Sequence, residues 1–141
     1  MSQRVRVREI GRVALGVFLI GAGLLHLTLW RQAFQAQVPP WVPLEKDFVV
    51  LASGVVEIVL GVAIIVLRGR LRLAIGWIVG AYFVAIFPGN ISQLVESIET
   101  QGVEGSVQWI VRLFFQPLLV AWALWSTGAF KAAVAWIRAR R

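Results

Sequence analysis

Four long apolar stretches set the pattern of this chain, at about 13–30, 48–67, 73–91 and 108–127. Each approaches the ~20 residues that a helix needs to cross a ~30 Å hydrocarbon layer. Polar residues collect in the connections. The pattern predicts an all-α fold: an integral membrane four-helix bundle, one domain over residues 1–141, with a short basic amphipathic tail at 129–141. The start, SQRVRVREIGRVALGVFLI, has a basic flank like that of a signal peptide. Its apolar run continues to Trp30 with no small-x-small cleavage site behind it, so it reads as an uncleaved first span.

The connections differ in kind. RQAFQAQVPPWVPLEKD contains Pro39, Pro40 and Pro43, which favour extended backbone. Arg68, Gly69, Arg70 and Leu71 form a tight turn. The third stretch ends in FPGNI, where Pro88 and Gly89 are expected to break the helix and leave SQLVESIETQGVEGS as an acidic polar connection. Pro117 falls inside the fourth stretch and is expected to kink it, with neighbouring groups satisfying the freed carbonyl.

Composition sharpens this picture. Apolar residues make up 59% of the chain, above the roughly 45–50% of soluble domains. The net charge of +7 would suggest a nucleic-acid partner in a soluble protein. Here most basic residues flank apolar runs, so orientation explains them and no nucleic acid is expected. Arg4, Arg6, Arg8 and Arg12 precede the first run, Arg68, Arg70 and Arg72 lie between the second and third, and Lys131, Arg138, Arg140 and Arg141 follow the fourth. The first connection has only Arg31 and Lys46, and the third has neither Lys nor Arg. Both termini are therefore expected to be cytoplasmic, in a multi-pass protein of the cell membrane. The absence of cysteine excludes disulfides, thiol redox chemistry and iron–sulfur ligation within the chain. With one histidine and one methionine, no metal site is expected.

Candidate chemistry centres on Glu57, within SGVVEIVLG. A carboxylate this deep costs a few kcal/mol and should face protein or water. Ser53, Glu57 and Gly61 recur every fourth residue as one helical stripe. At ~1.5 Å per residue, Glu57 lies ~13 Å and Gln116 ~12 Å from the outer end, His26 and Arg112 ~6 Å, and Asn90 at the boundary. His26, Glu57, Asn90, Arg112 and Gln116 thus gather in the outer half, and the inner half shows nothing comparable. Side chains lean toward their helix N-terminus, which favours a direct Glu57–Gln116 contact and leaves Arg112 to reach Glu57 through water, or directly if the fourth helix begins a turn earlier, near Ser106. Two readings follow. The five groups satisfy one another and fix helix register, or they form an outward-facing polar pocket with Phe83, Phe87, Phe114 and Phe115 as walls. Trp30, Trp41 and Trp109 suit an outer aromatic belt.

GLLHLT, VPPWVP, SGVVEIVLG, FPGNI and RLFFQPLLVAW, in this order, resemble the DoxX-like family of small four-span bacterial membrane proteins. The resemblance covers nearly the whole chain and includes His26, Glu57, Asn90, Arg112 and Gln116. It implies an inner-membrane component of redox or stress metabolism linked to quinone, with no covalently bound cofactor. No autonomous catalytic site is evident, and the second subunit of a quinone-linked oxidoreductase is not in this chain. Expected partners are the lipid bilayer, a quinone or other small aromatic ligand, and a partner subunit or a second copy. A small proton-coupled exporter and a ligand-free assembly or chaperone subunit are the alternatives.

Overall fold

The structure is a computed structural model that describes residues 2–141. Among them the chain forms six α-helices and one short 3₁₀ segment, and no strand. The helices are α1 (Gln3–Leu27), α2 (Lys46–Val66), α3 (Gly69–Ala85), α4 (Phe87–Gly105), α5 (Val107–Thr127) and α6 (Ala129–Ala139), with the 3₁₀ segment at Ala33–Gln37. Four stretches are long and apolar enough to cross a membrane: α1, α2, α3 running into α4, and α5.

α1 and α2 pack antiparallel along most of their length, and glycine is the reason they come so close. A Cβ on Gly16 would lie 2.8 Å from the Gly61 carbonyl oxygen, and one on Gly61 would lie 2.7 Å from that of Gly16. Gly23 and Gly54 repeat the arrangement at 2.5 and 2.9 Å. The pairs are two helical turns apart on both helices (16 to 23, 54 to 61), the spacing of a shallow-angle helical seam. The buried stripe of α2 is Val50, Gly54, Glu57, Leu60, Gly61 and Ile64. Gly54 takes the place expected for Ser53.

The second seam joins α3 to α5. Gly76 backs onto the Thr127 side chain, and a Cβ on Gly80 would meet Leu124 at 3.5 Å. Leu15, Leu19, Leu60, Ile64, Ile75, Val79, Phe83 and Ala123 fill the space between the two pairs. α1 also touches α5, and α2 touches α3, whereas α2 and α5 sit diagonally.

Three expectations need correction. Most of SQLVESIETQGVEGS is helical, as part of α4, which kinks at Gly102 (φ 75°, ψ 174°) and ends before Ser106. Pro88 lies in the first turn of α4, where a missing N–H costs nothing, so the chain breaks at Ile86 and resumes as helix. Asn90, Gln93 and Ser97 form the buried stripe of α4, while Glu96, Glu99 and Glu104 stay exposed. Second, α1 begins at Gln3, well ahead of residue 13, and ends at Leu27, short of Trp30. Third, the end of the bundle that carries the termini is not devoid of buried polar groups. Arg12 is 1% exposed. Its Nη1 donates to the carbonyls of Ile64 at 2.6 Å and Ile65 at 2.7 Å, and its Nη2 donates to Glu9 at 2.5 Å. Glu9 also accepts from Arg72 at 2.9 Å and pairs with Arg68 at 3.5 Å. The last carbonyls of a helix lack intrahelical donors, and an arginine from the neighbouring helix supplies them.

Candidate functional site

Glu57 is 6% exposed and meets α1 on one side and α3 on the other. The Tyr82 hydroxyl donates to Oε1 at 3.0 Å. His26 Nδ1 lies 3.0 Å from Oε2. The same Nδ1 is 2.8 Å from the Ala22 carbonyl oxygen, which can only accept. Nδ1 therefore carries its hydrogen and directs it along its own helix. Oε2 lies off that direction and has no hydrogen-bond partner. The cluster is thus a buried carboxylate, an imidazole and a phenol, with one carboxylate oxygen unpartnered.

The 3₁₀ segment closes over it. Phe34 stacks on the His26 ring with centroids 3.7 Å apart and planes at 18°. Phe34, Val38 and Val50 form a small apolar cluster of their own. Arg31 holds this cover in place with a two-pronged grip on Asp47: Nε donates at 2.6 Å and Nη2 donates to the other oxygen. Gln35 adds a hydrogen bond to Asp47 at 3.3 Å. That pairing holds the Arg31 guanidinium above its ordinary pKa, chiefly through the hydrogen bond to Asp47.

Gln116 and Asn90 form a separate group at the break between α3 and α4. Gln116 Nε2 donates to the Phe83 carbonyl at 2.6 Å, and its Oε1 accepts from Asn90 Nδ2 at 2.9 Å. A carbonyl cannot donate, so the Phe83 end fixes the orientation of both amides. Asn90 Oδ1 is left without a partner. Phe83 is in the last turn of α3, where carbonyls lose their i+4 donors. The amide of Gln116 makes good that loss.

The expected site residues therefore divide. His26 and Glu57 come together as neighbours, and so do Asn90 and Gln116. The expected Glu57–Gln116 contact gives way to these two pairs, because α2 and α5 are diagonal in the bundle and α3 stands beside both. Arg112 donates to Gln93 at 3.4 Å and lies over the Trp109 ring at 5.9 Å, not against Glu57. Of the expected aromatic walls, Phe83 is buried, but Phe114 is 75% and Phe115 55% exposed and both face outward. Tyr82, Phe34 and Gln93 complete the site. Tyr82 is the only tyrosine in the chain, placed within an apolar run, and Gln93 falls on the Asn90–Ser97 stripe. Phe34 carries no such signal. Among the described residues, no group of three or more His, Cys, Asp or Glu side chains could hold a metal ion.

Fold and site define an all-α protein with four stretches apolar enough for a membrane and a closed carboxylate–imidazole–phenol cluster at the covered end. Residues 15–127 match the family described as a domain of unknown function (DUF8561), and the chain belongs to that family. The match contains every residue of the cluster. No curated protein and no solved structure matches the chain.

Proposed function

We propose that this chain is a multi-pass protein of the cell membrane, with both termini cytoplasmic, that binds a small quinol-type ligand at Glu57. The observation that carries the reading is the unpartnered Glu57 Oε2, buried beside His26 and Tyr82. A buried acceptor without a donor costs about 1–3 kcal/mol. A ligand hydroxyl would relieve that cost. Asn90 Oδ1, in the separate group at the α3–α4 break, is another buried acceptor without a donor. A quinol offers two hydroxyl donors on an aromatic ring, whereas the oxidised quinone offers only acceptors. Phe34 and Phe83 supply apolar surface for the ring. Binding would displace the 3₁₀ segment, which is joined to α1 by the exposed residues Thr28–Gln32. The likeness to DoxX-like proteins points the same way. The chain would act as a quinol-binding component of redox or stress metabolism, whose electrons are handled by another protein.

Two measurements test this. Cysteines placed at Ser2, Gln101 and Arg140 are unique in a chain without cysteine. Positions 2 and 140 should be labelled only from the cytoplasmic side and position 101 only from outside, as the Lys and Arg distribution requires. For the ligand, the protein is purified from a quinone-containing membrane, extracted and analysed. Quinone or quinol should co-purify, and a short-chain quinol should raise the melting temperature of wild type but not of Glu57→Gln. Failure of both results removes the ligand assignment and leaves the topology standing.

A further inference from the structure

The termini end of the bundle carries a groove of about 1280 Å³ between the start of α1 and the hinge of α5 and α6. One wall is α5, from Pro117 through Val120, Ala121 and Leu124 to Trp125. Pro117 to Gly128 spans eleven residues, which is ~16 Å of helix and about half of a ~30 Å hydrocarbon core. The apolar wall is therefore as long as one leaflet is thick. The rim carries Arg4, Arg8 and Lys131, and no acidic residue lines the groove.

Arg8 is built into this rim. Its Nε donates to the Trp125 carbonyl at 3.3 Å, at the end of α5 where the helix dipole is negative. A Cβ on Gly128 would collide with Arg8 Nη2. Gly128 also has φ +81°, so glycine is required there twice over, for the turn and for the arginine. With Nε engaged, both terminal nitrogens of Arg8 remain free to donate to an anion. Beyond the turn, α6 exposes Phe130, Trp136 and Ile137 beside Lys131, Arg138 and Arg140, as a helix lying in a membrane interface does.

We infer that this groove is a binding site for one anionic phospholipid of the cytoplasmic leaflet. Its phosphate sits on Arg8 with Arg4 and Lys131 beside it, and an acyl chain runs along α5 toward Pro117. Charge complementarity selects an acidic headgroup, and the leaflet-length apolar wall selects an acylated ligand over a free phosphate. The inference rests on the membrane placement proposed above and is independent of the quinol.

The test uses the full-length protein in nanodiscs of phosphatidylcholine with a minority of phosphatidylglycerol. After detergent extraction, native mass spectrometry reads the retained lipid. Wild type should retain phosphatidylglycerol in preference to phosphatidylcholine. Arg8→Gln and Lys131→Gln should each lower that preference about fivefold, the weight of one cation at an anionic surface. Ala121→Trp, which fills the groove without changing charge, should remove it while the melting temperature stays within a few degrees of wild type. Equal retention of the two lipids, an unchanged preference in Ala121→Trp, or equal competition by inorganic phosphate would overturn the inference. A protein absent from the membrane fraction would instead overturn the membrane placement.

Discussion

His26 Nδ1 and Glu57 Oε2 lie 3.0 Å apart, yet the imidazole N–H is directed at the Ala22 carbonyl oxygen, 2.8 Å away on the same helix. The histidine therefore borders the acid without satisfying it. Tyr82 alone gives Glu57 an aligned hydrogen bond. The site is thus held between two helices by one donor, with a second acceptor position in reserve.

Tyr82→Phe tests that hold. It removes the hydroxyl while keeping the ring, leaving both oxygens of a buried carboxyl without donors. The expected loss is about 1–3 kcal/mol. Thermal unfolding in detergent should show a clear fall in the melting temperature. An unchanged midpoint would mean that the hydroxyl does not support Glu57.

The glycine seam makes a sharper contrast. A Cβ at Gly61 would lie 2.7 Å from the Gly16 carbonyl oxygen, backbone that cannot step aside without moving α1. Gly61→Ala should cost about 1–3 kcal/mol through overpacking. Gly21 lies on α1 between Gly16 and Gly23 but is exposed, with nothing within 4 Å of a Cβ. Gly21→Ala should leave the melting temperature unchanged or raise it slightly, since alanine favours helix. If both variants melt alike, the seam does not control how α1 and α2 pack.

At the α3–α4 break, Gln116 serves Phe83 and Asn90 with opposite ends of one amide. Gln116→Leu removes both partners, and the expected cost is about 2 kcal/mol or more. Gln116→Glu keeps the acceptor for Asn90 but loses the donor to Phe83, so it should also destabilise at neutral pH and recover as pH falls and the carboxyl gains a proton. Melting temperature against pH for the two variants separates the two halves of the bridge.

Arg12 reaches three acceptors on two helices with one planar fork. Arg12→Lys keeps the charge but not the geometry, and arginine and lysine are not equivalent at such sites. Arg12→Met should cost about 3 kcal/mol, because Glu9 and two helix-end carbonyls lose a buried donor. Lysine should fall between methionine and wild type in urea or thermal unfolding. A lysine variant as stable as wild type would show that charge alone suffices.

Local pattern alone was enough for much of this protein. The runs at 48–67 and 108–127 foretell α2 and α5 to within two residues, because length and apolarity are properties of each segment by itself. Glu57 stands out in the same way: an acid in the middle of such a run needs polar company wherever the run ends up. Its actual company was decided by the bundle. Depth along a helix does not say which helices are neighbours or how each is rotated. α2 stands between α1 and α3, so Glu57 meets His26 and Tyr82, while Gln116, at similar depth on the diagonal helix, serves the break at Ile86. The same lack of rotational information sends Phe114 and Phe115 outward. Only contacts between separate elements, such as Arg12 on the end of α2 or Phe34 on His26, carry the remaining information. Those contacts depend on how the helices pack, not on any single stretch of residues.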